Sequence, residues 1–366
     1  MKVIIACGGT GGHLFPGLAV AQVLKDRGHE ILLLVSEKAI DAQALAAHPD
    51  FRSEKLPSVG MPSILSPAFI RFVSRTRESL AQCKEIYRKF QPDAVLGMGG
   101  FTSSAPLLAA KLAKIPSFIH ESNSIPGKAN KLAARYFADH VLLGFEACRK
   151  NFPKAHCEVT GTPVRQDLGA PLPREEALAR FDLDPAKRTL LVMGGSQGAA
   201  GVNQLMFKVA PRLTGKDIQL IHLTGERDDR LAAANYLREG FPAYVSPFHH
   251  NMQEPYSAAD LVVSRAGASS LSELSQFGLG QILIPYPYAA ENHQETNARI
   301  YVEAGAAEMF LEADANPELL ANRIIALLSD EEARRTMAKK SQTLAPKDAA
   351  AKVADAIESN VNAQPA

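Results

Sequence analysis

The chain has 366 residues, 46% of them apolar and 22% charged, and a formal net charge of +1. That length is long for one hydrophobic core and comfortable for two domains, and the composition excludes a disordered chain. The near-zero charge gives no global field for nucleic acid, so any basic surface has to be local.

The opening stretch, MKVIIACGGTGGH, has too short an apolar run for a signal peptide and reads as a first strand. No run reaches the ~18 apolar residues that a membrane-spanning helix needs. Four cysteines (Cys7, Cys83, Cys148, Cys157) show neither CxxC nor metal-ligand spacing and read as reduced thiols of a cytosolic protein. Short apolar runs then alternate with amphipathic stretches. They are KVIIA (2–6), ILLLV (31–35), AVLGM (94–98), SFIH (117–120) and HVLLG (140–144), followed by TLLVM (189–193), IQLIHL (218–223), LVVS (261–264) and QILIP (281–285). Continuous apolar strands separated by helical stretches predict parallel sheets covered on both faces. Each half is expected to be one βα-repeating, Rossmann-like domain.

The proline-rich stretch 161–187 breaks this alternation and marks the join. The two halves open alike, with KVIIACGGTGGHLFPGLAVAQVL and TLLVMGGSQGAAGVNQLMFKV each reading as strand, Gly-rich turn, helix. Such an approximate repeat suggests two related domains facing each other across a cleft. The last segment, 346–361, has helical spacing with Ala349, Val353, Ala356 and Ile357 along one side, and could pack back on the first domain.

Ligands of parallel α/β sheets sit beyond the carboxyl ends of the strands. The first such loop, GGTGGH (8–13), fits neither the dinucleotide fingerprint nor a Walker A motif. It offers a backbone of small residues at a helix N-terminus, suited to a diphosphate, or glycines that only permit a tight turn. His13 could take a hydroxyl proton or bond a phosphate oxygen; it could equally cap or pack under the loop. Residues 61–90 set Ile64, Leu65, Phe69, Ile70, Phe72 and Val73 beside Arg71, Arg75, Arg77 and Lys84. That pattern fits a core helix with a basic side or, given a lipid-bearing substrate, a patch that docks on anionic membrane. HESN (120–123) places polar groups at the end of a buried strand, which is expensive unless they meet a ligand.

In the second half, Ser196 of GGSQG has the setting of a hydrolase nucleophile elbow or of a phosphate cradle. Asp260 and His293 follow in the order a hydrolase triad would need, yet that account leaves the serine-free loop of the first half without a role. In SRAGASSLSE (264–273) small residues open a helix, and Glu273 suits a vicinal diol such as ribose. A last polar loop, ENHQETN (291–297), follows PYPYAA.

Taken together, GGTGGH (8–13), MGGF (98–101), HESNSIPGKANK (120–131), GTPVR (161–165), GGSQGA (194–199), SRAGASSLSE (264–273) and ENHQETNA (291–298) resemble the MurG family of N-acetylglucosaminyltransferases. The likeness runs in order from residue 3 to about 342. It implies an α/β GT-B fold: two Rossmann-like domains with parallel sheets facing across a cleft. Residues 1–163 would take the lipid-linked acceptor and 164–342 UDP-N-acetylglucosamine. The implied reaction is inverting transfer of N-acetylglucosamine to the 4-hydroxyl of undecaprenyl-diphospho-N-acetylmuramoyl-pentapeptide, giving the lipid-linked disaccharide precursor of peptidoglycan. The implied place is the cytoplasmic face of the bacterial inner membrane, as a peripheral protein on an anionic surface, with no nucleic-acid partner.

Carried over by position, Thr10, Gly11, Gly12, Asn123, Arg165, Ser196, Ala268, Ser269, Ser270, Leu271, Ser272, Glu273 and Gln294 would contact the nucleotide sugar. His249 stands where the family, usually with an apolar residue, contacts uracil through its backbone, so its side chain is not given a role. HESN replaces the more usual HEQN but keeps Asn123. His13 is the candidate general base. No Asp-x-Asp stands in a strand-end loop, so no obligatory metal is expected, although a divalent cation could assist diphosphate binding. The rival readings are a UDP-sugar 2-epimerase of the same fold, a nucleotide-sugar-binding module using the second half alone, and a serine hydrolase through Ser196.

Overall fold

The computed structural model describes residues 1–362 apart from 47, 58, 59, 61, 63–65, 196 and 197, with only the backbone described at 39, 40, 43 and 44. Among these residues the strands form two parallel sheets. The first contains β1 (Lys2–Ala6), β2 (Glu30–Ser36), β3 (Arg52–Leu56), β4 (Ala94–Gly97), β5 (Ser117–Glu121), β6 (His140–Leu143) and β7 (His156–Val159), in the order β3-β2-β1-β4-β5-β6-β7. The second contains β8 (Arg188–Met193), β9 (Ile218–Leu223), β10 (Ala243–Ser246), β11 (Leu261–Ser264), β12 (Gly280–Leu283) and β13 (Ala307–Met309), in the order β10-β9-β8-β11-β12-β13.

The nine apolar runs of the sequence occupy the middle of these sheets, where helices cover both faces. Val3, Ile4, Ile5, Leu33 and Leu34 in one sheet, and Leu190, Leu191, Leu220 and Val262 in the other, are wholly buried. Four strands lack an apolar run: β3 (RSEKL), β7 (HCEV), β10 (AYVS) and β13 (AEM). These four are the two edges of each sheet. An edge strand is half solvated and tolerates charge, so its sequence loses the pattern that marks a central strand.

In each sheet the strand order reverses beside the strand that comes first in the chain, between β1 and β4 and between β8 and β11. The crevice at such a switch point is where open α/β sheets bind ligands. The two Gly-rich turns leave β1 and β8, so each sits at its own sheet's switch point.

The chain divides into two compact units, residues 1–165 with the C-terminal segment from Lys347, and Gln166–Pro346. The last helix, Ala349–Asn362, packs on the helix Gly11–Asp26 and buries Ala349, Val353, Ala356 and Ile357. Arg27 fastens it through Asp355 (2.7 Å) and Glu358 (2.8 Å), and His29 lies 2.7 Å from Glu358. Burial pushes the Cys83 and Cys148 thiols up to about 12, which makes them packing groups rather than nucleophiles. Among the described residues, no helix is long and apolar enough to cross a membrane.

Candidate functional site

In the first unit the Gly-rich turn is held from below by a carboxylate that the sequence reading did not single out. Asp41 is fully buried and accepts from Gly9 N (2.9 Å), Ser36 N (3.0 Å) and Ser36 Oγ (2.5 Å). A Cβ at Gly8 would lie 2.6 Å from the same carboxylate, so only glycine fits there. Lys38 Nζ donates to Gly9 O at 2.7 Å. Gly9's N–H is thus used inside the fold. The donors the turn can offer an anion are those of the first helical residues, and among the described residues nothing accepts from Gly11 or Gly12 N–H. No local spacing announces Asp41, because its role depends on β2 lying next to β1.

His13 is half-buried, with Thr10 Oγ1 3.2 Å from its Nδ1. Its imidazole lies against the backbone of Gly99 and Gly100, both at positive φ (107° and 71°). A Cβ at Gly99 would come within 3.1 Å of His13 Nε2, and one at Gly100 within 3.0 Å of Cε1. The glycine pair of MGGF is therefore the wall that admits the ring.

Behind that wall runs a closed polar chain. Gly100 N donates to Asn130 Oδ1 (3.2 Å), and Asn130 Nδ2 donates to Glu121 Oε2 (2.8 Å) and His120 O (3.2 Å). Glu121 also accepts from Asn123 N (2.9 Å), Asn123 Nδ2 (3.1 Å) and Gly127 N (3.0 Å). His120 Nε2 donates to Gly161 O at 2.9 Å. This corrects the expectation for HESN: its buried polar groups are satisfied within the unit and need no ligand to offset their burial. Arg165 also belongs to this unit, its guanidinium 4.8 Å from the Phe15 ring centroid.

Burial pulls His120 down to about 4 and His222, in the second unit, down to about 3, from an ordinary 6.5. Burial pushes Glu121 above its ordinary value, against the hydrogen bonds that lower it. A histidine held neutral contributes stability above its unfolded value that is lost as pH falls through the folded one, whereas a raised carboxyl works in the opposite sense. Two imidazoles outweigh one carboxyl. We therefore expect Tm to fall as pH is lowered from 7 towards 5, with His120 alone accounting for about 3 kcal/mol once pH reaches its folded value. Thermal melts across that window check this, and a flat profile would refute it.

In the second unit the turn after β8 is tightly built where it is described. Gly198, at φ 71°, donates its N–H to Gly195 O at 2.9 Å, and a Cβ on it would lie 2.4 Å from Thr224 O. Gly195 is also left-handed (φ 87°), but a Cβ there would meet open space. Ser196, the candidate contact or nucleophile, lies outside the described residues. Thr224 O is fixed in turn by Asn203 Nδ2 (2.9 Å), whose Oδ1 sits 3.0 Å from Nε2 of the buried His222.

Gly267 caps the helix Ala268–Gln276. Within it Ala268, Leu271 and Ser272 are buried, and Leu271 N bonds Gly267 O at 3.0 Å. The donors this helix offers outward are the N–H groups of 268–270 and the half-buried hydroxyls of Ser269 and Ser270. Glu273 is oriented by the Tyr256 hydroxyl, which donates to its Oε2 at 2.7 Å. Tyr256 was not legible as a site residue, since nothing in its own helix distinguishes it. Gln294 Oε1 accepts from Ala266 N (3.2 Å) and Tyr286 N (3.0 Å), which orients the amide and joins the loops after β11 and β12. His249 is paired with Glu254 (2.9 Å) and packs on Phe181, so its side chain serves its own loop. Among the described residues, no group of three or more His, Cys, Asp or Glu could hold a metal ion.

Residues 3–142 match the glycosyltransferase family 28 N-terminal domain and residues 189–356 its C-terminal domain. A relative from Geotalea uraniireducens is 39% identical over 359 residues, covering 97% of each chain. It is named UDP-N-acetylglucosamine--N-acetylmuramyl-(pentapeptide) pyrophosphoryl-undecaprenol N-acetylglucosamine transferase. The crystal structure of Acinetobacter baumannii MurG superposes with a TM-score of 0.76 at 26% identity, over 98% of this chain and 99% of that one. The chain belongs to the MurG family of glycosyltransferases. Its two parallel α/β units are the halves of the GT-B fold that MurG proteins share with other enzymes. One of these is the UDP-GlcNAc 2-epimerase from Neisseria meningitidis, at TM-score 0.70 and 13% identity over 98% of this chain and 100% of that one. At that identity the likeness to the epimerase is one of fold alone.

Proposed function

We propose that the chain transfers N-acetylglucosamine from UDP-N-acetylglucosamine to the 4-hydroxyl of undecaprenyl-diphospho-N-acetylmuramoyl-pentapeptide, with inversion. The observation that carries this is the near-full-length identity to a relative named for this reaction. In this reading residues 166–346 take the donor. The N–H groups at 268–270, the oriented Glu273 carboxylate and Gln294 hold the nucleotide sugar, with Glu273 on the ribose hydroxyls. The amides of the 194–199 turn and the helix it opens face the diphosphate, where negative charge grows as UDP leaves. Residues 1–165 take the acceptor, whose own diphosphate meets the Gly11 and Gly12 amides. Thr10, Gly11, Gly12, Asn123 and Arg165 add contacts to the donor sugar. With Nδ1–H donated to Thr10, His13 Nε2 is the basic nitrogen that accepts the 4-hydroxyl proton. A divalent cation assists the diphosphate at most. Radiolabelled UDP-N-acetylglucosamine supplied with the lipid-linked acceptor should leave label in the lipid phase. Formation of UDP-N-acetylmannosamine without acceptor, and no label in lipid, would favour the 2-epimerase instead.

Membrane attachment is part of the proposal, as a peripheral protein on the cytoplasmic face of the inner membrane, with no nucleic-acid partner. The helix Ala68–Phe90 changes character along its length. Its second half buries Ser79, Cys83, Tyr87 and Phe90, but 68–78 contains no buried residue and Ile70 is 77% exposed beside exposed Arg71 and Arg77. Phe72 packs on Phe69 and Phe101, at 5.9 and 6.1 Å between ring centroids, so these rings also serve the fold. Ile64 and Leu65 lie outside the described residues. Ile70 and the arginines are therefore the clean probes. Each basic residue near an anionic surface contributes about 1 kcal/mol, so Ile70→Ser with Arg71→Glu and Arg77→Glu should weaken binding to phosphatidylglycerol vesicles at least about tenfold. UDP affinity should not change. Unaltered co-sedimentation would return the helix to a purely structural role.

A further inference from the structure

The second unit contains an ion pair, its arginine buried and its glutamate half-buried, to which neither the fold nor the proposed chemistry gives a role. Arg265, 7% exposed, follows β11 and sends its guanidinium away from its own loop. Nη1 donates to Ile284 O (3.0 Å) and Pro285 O (3.1 Å), the guanidinium carbon lies 5.3 Å from the Tyr286 ring centroid, and Nη2 pairs with Glu312 at 2.5 Å. Glu312 follows β13, and its carboxylate lies over the first turn of the helix Ala200–Leu213, the helix opened by the 194–199 turn. A Cβ at Gly201 would fall 2.1–2.5 Å from that carboxylate. One ion pair therefore touches the loops after β11, β12 and β13 and the helix that follows β8.

We infer that the Arg265–Glu312 pair is the positioning device of the donor site, fixing the start of the helix Ala200–Leu213 relative to the sugar and ribose loops at 264–273 and 285–294. The inference rests on the reading of this unit as the donor site. Arg265 is buried among carbonyls and a carboxylate, so it acts through those loops and is a positioning residue. Gly201 gives the diagnostic. Alanine in a helix is ordinarily better than glycine, and a carboxylate that met an added Cβ would ordinarily swing aside at little cost. Here the carboxylate is anchored to a buried guanidinium with two further bonds, so the added methyl group has to displace the helix start that carries the diphosphate turn.

The test uses the full-length chain, with UDP binding followed by calorimetry and transfer kinetics measured alongside. Gly201→Ala should raise the UDP Kd and the KM for the donor about tenfold, leave the KM for the lipid-linked acceptor within about twofold, and leave Tm nearly unchanged. Glu312→Gln, which keeps the shape but removes the charge, should move donor affinity in the same direction. Shortening the obstructing side chain in Gly201→Ala/Glu312→Asp should bring UDP affinity back to within about threefold of wild type. Rescue of this kind would not accompany a pair that merely stabilises the unit. If wild type binds UDP and Gly201→Ala and Glu312→Gln bind it equally well while only Tm changes, the positioning role is overturned. If wild type itself binds no UDP, the donor-site reading falls and takes this inference with it.

Discussion

Replacing His13 by Ala should lower kcat for the transfer by about 10²–10⁴-fold while changing UDP affinity far less, because a general base acts on the transition state and contributes little to donor binding. The structure adds a second variant that leaves the imidazole in place but moves it. Gly100 is at φ 71°, and a Cβ there would lie 3.0 Å from His13 Cε1. Gly100→Ala should therefore push the ring off its wall and lower kcat in the same direction, by less than removal does, since a displaced base can still reach its proton in a fraction of complexes. Steady-state kinetics on both variants, with UDP binding measured separately, checks the pair. If His13→Ala turned over near the wild-type rate, the base would lie elsewhere and the imidazole would be a packing group for Gly99 and Gly100.

How much of this could be read in advance follows from where each residue's role is decided. Central strands carry their assignment in their own sequence, because two covered faces demand largely apolar side chains on both sides of the strand, as in VIIA (3–6) and ILLLV (31–35). Edge strands do not, and all four that went unmarked are edges. The glycine turns after β1 and β8 were legible for a similar local reason: small residues between a strand and a helix leave few alternatives. Asp41, Tyr256 and the Glu312 partner of Arg265 were not. Each takes its role from a residue brought close only by the sheet order, and a buried aspartate under a turn has the same one-letter code as an exposed one. The polar cluster at 120–123 was noticed for a sound reason and given the wrong consequence. Burial does require partners, but Asn123 within the cluster and Asn130, Gly127 and Gly161 beyond it supply them.

The turn after β8 separates a phosphate cradle from a nucleophile by the size of the loss. If the turn holds diphosphate with backbone amides, Ser196 contributes at most one hydroxyl. Losing one hydrogen bond to a charged group costs roughly 1.5–3 kcal/mol, or about 10- to 150-fold in rate or affinity. A serine nucleophile would be worth about a million-fold. Ser196→Ala should thus retain easily measured transfer, and a fluorophosphonate probe should leave Ser196 unlabelled; labelling together with near-complete loss of activity would make the serine an attacker.

Gly198 should rank above the hydroxyl, and the structure ranks the two glycines against each other. Gly195 and Gly198 are both left-handed, a conformation that costs a side-chain-bearing residue roughly 1–2 kcal/mol. A free turn can relieve that strain by leaving the conformation, and UDP binding then has to reimpose it. For Gly195→Ala that is the whole penalty, because its Cβ would meet open space, and the UDP Kd should rise about tenfold. Gly198→Ala adds a collision with Thr224 O at 2.4 Å and Gly225 Cα at 2.8 Å. Both are backbone atoms, and Thr224 O is pinned by Asn203, itself tied to the buried His222, so neither can turn aside. The turn has to give way, and UDP affinity should fall at least about 100-fold, which at roughly 1.4 kcal/mol per tenfold is near the sum of the αL penalty and one lost charged hydrogen bond. Calorimetry on the three variants, with Tm confirming that each is folded, should give Gly198→Ala the largest loss of UDP affinity, while Ser196→Ala still turns over.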